Sequence, residues 1–419
     1  MKFEPAQARR NITIRFIDKD FSKFSVFPVI ASYLIDYLKL EERFDIVLKT
    51  KSNNFSFSVQ EYLLTLTTII FLGIKRLYKA DDLLANEQQL AKILGFRKQK
   101  FPSARALYLL LSSVDHWSVK RLDKVNFDLI KKHKDLLTAG KRWLTVDIDQ
   151  TKKITEGAKI EKAKPCYHPQ KKGRLGLRIS AGAVGGLLFF QKLEPGNVGT
   201  AEAFEELITK IISHLDELYP GRKNRKAGKR LCAKRIVLRI DGGYFSEKTL
   251  RIIEKLGRGR KLDFILRAKV NLKLVAQKEK EHKAKDWTKI NENVSVLRLS
   301  NQPVLEKHPK PYTVLVIKEK QKKIVSRKKR IYHTKKKIKY VFVANIKNWS
   351  TKRIIKYYKK RQTIENVFKN HNQTFKANKL PTHKFWGNAF YFMMVSLVSN
   401  ISFFFKSVNW NIKMCMFGK

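Results

Sequence analysis

Two short apolar runs that stop at acids constrain this chain more than any other feature. "KRWLTVDIDQT" sets Trp143, Leu144, Val146 and Ile148 beside Asp147 and Asp149. "KRIVLRIDGGYF" carries Ile236 to Ile240 into Asp241 and two glycines. Each reads as a short buried strand ending in acid. Between them lie "GRLGLRISAGAV" and "GGLLFFQKLEPG", two strands joined at Gly185 and Gly186. The amphipathic helix "TAEAFEELITKIISHLDELY" follows, with Thr200 as its expected cap. After the second acid come the helix "SEKTLRIIEKLG", capped by Ser246, and the strand "KLDFILRAK". Three strands, helix, strand, helix, strand is the order of a mixed α/β sheet of the RNase H kind.

The rest of the chain divides around that core. Residues 1–138 read as an all-α module, with Ser103 capping "ARALYLLLSSV". Residues 139–269 hold the first part of the core. Residues 270–339 break the pattern with strand-like pieces and very basic links, and predict a β-rich insertion. Residues 340–406 return to the core with a last strand and helices, and 407–419 form a tail. Phe385–Phe405 is long and apolar enough to span a bilayer. It also carries Asn388, Asn400 and three serines, which predicts a buried helix and no membrane partner.

Lys and Arg number 89 against 36 acids, a net charge of +53. That excess opposes compaction unless a polyanion is near, and nucleic acid is the natural one. The basic stretches Lys223–Arg230 and Arg327–Lys339 predict sequence-independent phosphate contacts. A hydrophobic content of 43% excludes a disordered charged tail. Cys166, Cys232 and Cys415 are widely spaced, with no CxxC, which predicts a reducing compartment and no structural zinc. The opening "MKFEPAQARRNITIRF" lacks the apolar core of a signal peptide.

Acids at the ends of adjacent strands suit divalent-metal phosphoryl chemistry. Mg²⁺ is hard and takes oxygen ligands, and two such ions about 4 Å apart activate water and stabilise a leaving oxygen. A third acid from a helix completes such a cage. Glu365, alone among the bases of "YYKKRQTIENVFKNHNQTF", is the candidate. Asp147 and Asp149 share one strand face, so alternation does not choose between them.

Four stretches in order carry a resemblance. Asp149-Gln150-Thr151, "GNVGTAEAF", "LRIDGGYFS" and the spacing Tyr358, Arg361, Glu365 are similar to signatures of the DDE transposases of bacterial insertion sequences, the group with a Tyr-Arg-Glu-Lys motif. The resemblance implies an RNase H-like catalytic core and an N-terminal DNA-binding domain. It implies a triad of Asp149, Asp241 and Glu365 holding two Mg²⁺ or Mn²⁺ ions. It also implies cut-and-paste chemistry: end cleavage, a DNA hairpin and strand transfer. The implied partners are the element's terminal inverted repeats, target DNA and a second copy of the chain, in a bacterial cytoplasm at the nucleoid. Tyr358 and Arg361 would hold phosphate, and Trp287 in the insertion would stack on a flipped base. The motif's lysine falls on Asn372. On one continuous helix Tyr358, Arg361, Glu365, Lys369 and Asn372 share a face, so Lys369 is expected to supply the missing cation and Asn372 to donate an uncharged hydrogen bond to phosphate. A structure-specific nuclease on the same core, or a DNA-binding remnant that has lost catalysis, are the alternatives.

Overall fold

The run that starts at Trp143 forms strand β1 (Trp143–Ile154), an inner strand of a ten-stranded sheet. The computed structural model describes residues 10–15, 22–24, 27–48, 56–138, 142–155, 159–166, 173–224, 229–269, 273–327, 330–407 and 410–415. Strands β2 (Leu175–Val184) and β3 (Leu187–Pro195) follow β1 as an antiparallel hairpin. Gly185 and Gly186 make its turn with φ of 63° and 100°, angles that disfavour side chains. Helix α4 lies further on at Thr200–Leu218, after α1 (Val59–Phe71), α2 (Ala104–Ser113) and α3 (His116–Lys132) of the N-terminal module. Strand β4 (Arg235–Ile240), helix α5 (Glu247–Gly257) and strand β5 (Leu262–Ala268) complete the core.

Strand order across this core is β3-β2-β1-β4-β5. β2 runs antiparallel to β1, whereas β4 and β5 run parallel to it. That is the RNase H-like arrangement expected from element order. Ser103 and Ser246 cap their helices as expected, accepting from Ala106 N and Thr249 N. Thr200 does not: Gly199 is the cap, and the Thr200 hydroxyl donates instead to Gly243 O, beside Asp241.

Residues 270–339 extend the same sheet. Strands β6 (Thr288–Asn291), β7 (Val294–Leu305), β8 (His308–Arg327) and β9 (Arg330–Ala344) form an antiparallel run joined to β5 through β9. The expected last core strand is therefore the end of one long hairpin arm. Side chains of Lys223–Lys229 and of the arm from Gln321 to Lys336 lie outside the described residues, and with them most of the expected phosphate contacts.

After β9 come α6 (Thr351–Lys359), α7 (Gln362–Gln373) and α8 (Phe385–Ser407). The apolar helix α8 is largely buried within the protein, against α1, α2, α3 and β3. A Cβ on Gly387 would meet Leu111 O at 2.1 Å, so glycine sets the close approach to α2. The buried asparagines of α8 are satisfied, whereas the buried Ser396 hydroxyl has no hydrogen-bond partner. Asn400 accepts from Leu188 N at 2.9 Å and donates to Leu188 O and Asn126 Oδ1 at 2.8 and 2.9 Å. The tail contributes a short strand, Trp410–Cys415, parallel to Arg10–Arg15.

Two histidines stack inside this helical layer: His133 on Phe404 at 4.3 Å and His214 on Phe127 at 3.8 Å. Burial pulls both down to about 4, so both are neutral in the fold. Unfolded, they take up protons below the ordinary histidine value of about 6.5. Their stabilisation is therefore complete above about pH 6.5 and is lost as pH falls toward 4. Between pH 6 and pH 5 the two together are expected to cost roughly 2 kcal/mol of unfolding free energy. Urea titrations at the two pH values, with His133→Leu and His214→Leu as controls that flatten the difference, measure it.

Candidate active site

Parallel pairing of β1 with β4 sets the site. Asp147 pairs with Arg239 and Ile148 with Ile240, which places Asp149 level with Asp241 on neighbouring strands. β4 stops at Ile240, whereas β1 runs on to Ile154 because β2 still pairs with it. Asp149 thus lies in mid-strand, at the notch where β4 departs. Asp241 opens the Gly242–Tyr244 turn, and Tyr244 packs beneath it, almost fully buried.

Glu365 comes from the first turn of α7, which packs over β1. The stretch from Tyr357 to Phe375 is two helices. Lys360 and Arg361 form a turn between α6 and α7, so the single face expected from one continuous helix exists only from Gln362 onward. No proline or glycine marks this break, and the residues at it are good helix formers.

Arg361, in that turn, points inward and is 8% exposed. Its guanidinium meets all three acids: Nη2 to Glu365 Oε1 at 2.5 Å, Nη1 to Asp149 Oδ2 at 3.4 Å and Nη2 to Asp241 Oδ1 at 3.7 Å. Nη1 is buried and makes no hydrogen bond. Burial raises the Asp149 carboxyl above its ordinary range. Arg361 draws it back down, and Asp241 and Glu365 add to the rise. Beside the acids opens a groove of about 460 Å³, lined by Arg267, Tyr358, Lys359, Arg361, Gln362 and Glu365 among others.

The structure separates Asp147 from Asp149. Asp147 is buried, and Arg239 grips it with two hydrogen bonds of 2.6 Å. Only Asp149 joins the cluster around Arg361. Arg239 was missed in the sequence, although aligning "TVDID" with "VLRID" pairs it with Asp147.

Three expected phosphate or base contacts are placed differently. Tyr358 faces inward: its hydroxyl donates to Ile240 O at 3.2 Å and its ring packs on Phe342 at 4.2 Å. The break before α7 turns α6 so that this face meets the sheet. Trp287 precedes β6, six strand positions from β1, or roughly 29 Å at about 4.8 Å per strand. Its ring is half-buried, with Lys318 Nζ 3.8 Å from the centroid. This chain therefore does not bring Trp287 to its own acids. Asn372 accepts a 2.6 Å hydrogen bond from Lys153 on β1. Lys153 also donates to Ala377 O at 2.6 Å, and burial pulls its amine down to about 8. Lys369 lies exposed one turn beyond Glu365.

Lys153 thus stitches the strand of Asp149 to the helix of Glu365. A lysine at position 372 would set a second ammonium against it in a buried place. Asn372→Lys is expected to destabilise the fold by about 1–3 kcal/mol. The double variant Lys153→Met, Asn372→Lys should recover most of that loss, and urea unfolding of the three variants measures it.

The donor set fits a hard divalent ion: three carboxylates from three elements, converging on one cation. Their present spacing is that of a guanidinium cluster. Among the described residues no three His, Cys, Asp or Glu side chains are closed into a metal-holding group.

An RNase H-like sheet with acids gathered where β4 leaves β1 is the framework of the transposase class that the sequence resembles. The comparisons make the membership plain: the family described as Transposase DDE domain group 1 matches residues 29–414, and the chain belongs to it. Members of that family generally use divalent metal ions. Among curated proteins the chain has no match. A cryo-EM structure of the piggyBac transposase synaptic complex with hairpin DNA is similar at 11% identity and a TM-score of 0.46, covering 91% of this chain and 75% of that one.

Proposed function

We propose that the protein is a cut-and-paste DNA transposase whose triad is Asp149, Asp241 and Glu365. The observation that carries this is the convergence of those three carboxylates, from β1, the β4 end and α7, on one buried guanidinium. They would hold two Mg²⁺ or Mn²⁺ ions, which supply an activated nucleophile and a stabilised leaving oxygen when bound. Asp149 and Asp241 are fixed by strand register, and Lys153 anchors α7 and so positions Glu365. The groove beside the acids offers Arg267 to a DNA backbone, together with Lys359, which pairs with Glu319 at 3.3 Å in the absence of DNA, and exposed Lys369 lies at its approach. The substrates are the element's terminal inverted repeats and a target duplex, processed by a homodimer through nicking, hairpin formation and strand transfer. The residues up to 138 contribute DNA binding, and a bacterial insertion sequence is the proposed origin, with the protein in the cytoplasm at the nucleoid.

Inward-facing Tyr358 supports a second reading, a structure-specific nuclease that only hydrolyses. In this conformation its hydroxyl serves Ile240 O and not a transferred strand. A labelled end duplex incubated with Mg²⁺ and resolved on a denaturing gel separates the two. The transposase yields nicked, hairpin and joined products. Nicks alone, under several ends and metals, establish the nuclease.

A further inference from the structure

Arg361 occupies the place to which the three carboxylates point. It is almost fully buried, and one of its nitrogens lacks a hydrogen bond there. It also sits in the turn between α6 and α7, where its backbone is held by bonds from Arg361 N to Tyr358 O at 2.8 Å and from Ile364 N to Arg361 O at 3.1 Å, so that only the long side chain has to swing. The guanidinium is therefore well paired by charge but incompletely bonded, and it borders the groove that holds Arg267 and Lys359.

From this arrangement we propose that Arg361 is a built-in counter-cation of the acid cluster, which divalent ions displace into the adjoining groove, where it grips DNA phosphate. The proposal rests on the triad reading above. Three carboxylates at one notch repel one another, and a single guanidinium offsets only part of that charge. Divalent ions offset more, and hard oxygen ligands favour them. Once out, Arg361 joins Arg267 and Lys359, and the one further carboxylate among the groove's lining residues, Glu319, is already engaged by Lys359 at 3.3 Å and by the Tyr340 hydroxyl, so a phosphate is the anion that makes its new place favourable. A guanidinium suits phosphate because its planar fork bonds two oxygens at once. Metal and DNA thus favour the same position of one side chain, and by linkage each strengthens the binding of the other.

The test uses the full chain and Mn²⁺, with free ion counted by its paramagnetic resonance signal and no DNA present. Arg361→Ala is expected to tighten Mn²⁺ binding about tenfold, with Arg361→Gln behaving alike should the alanine variant fold poorly. In a second measurement Mn²⁺ strengthens binding of an uncleavable phosphorothioate duplex by the unaltered protein, and this gain disappears in Arg361→Ala. Arg361→Lys keeps part of the gain. Alanine at Asp149, Asp241 or Glu365 weakens Mn²⁺ binding. If those three variants bind Mn²⁺ like the unaltered protein, the triad reading itself fails. If they lose it while both Arg361 variants bind Mn²⁺ no more tightly than before, the triad stands and the displaced counter-cation is overturned.

Discussion

Alanine at Asp149, Asp241 or Glu365 is expected to lower end cleavage by at least about 10³-fold, equivalent to roughly 4 kcal/mol of barrier. DNA binding should remain close to that of the unaltered protein. The expectation follows from geometry. Each acid comes from a different element, and none of the three can reach across to replace another. Losing one leaves two carboxylates where the chemistry asks for an ion held on several sides. Nonspecific DNA affinity draws on a net charge of +53, to which one acid contributes little. The measurement is the rate of first-strand nicking on a labelled end duplex with Mg²⁺, beside a filter-binding isotherm. Circular dichroism confirms the fold of each variant. Retained nicking in all three variants would falsify the triad.

Much of this site was legible because apolar runs are legible, although β1 continues past Asp149 to Ile154 and only Asp241 stands at a strand end. Apolar runs that stop at Asp149 and Asp241, with a hairpin and a helix between them, imply both the sheet order and the meeting of the two acids. What escaped the sequence depends on register and on tertiary partners. Alternation places Asp147 and Asp149 on one face, and only the pairing of β1 with β4 shows that Arg239 claims the former. The turn at Lys360 and Arg361 carries no breaker, so a continuous helix was the natural reading, and it put Tyr358 on the wrong side. The bond from Lys153 to Asn372 joins residues 219 positions apart, and no local pattern announces it. The strands of 270–339 were visible as strands, but their lysines hid that they prolong the central sheet.

Asp147 is where the largest loss of stability is expected. Its two oxygens accept from Arg239 Nε and Nη2, and Arg239 Nη1 donates to Tyr357 O at 2.7 Å, so the pair locks α6 to the sheet. Both side chains are nearly inaccessible, at 3% for Asp147 and 6% for Arg239. Asp147→Ala leaves a buried guanidinium without its counter-charge, and breaking such a pair costs about 3–5 kcal/mol. Arg239→Met in the same chain removes the stranded charge and should return most of the loss, since replacing a buried pair by apolar groups of similar size is often nearly neutral. Asp149→Ala, two residues along the same strand face, should change stability by less than about 1 kcal/mol, because it leaves Arg361 with Glu365 and Asp241. Urea unfolding of the four proteins makes the comparison. A normal midpoint for Asp147→Ala together with lost cleavage would move the first acid of the site from Asp149 to Asp147. The expected outcome is the opposite division: Asp147 carries the fold of the site, and Asp149 carries its chemistry.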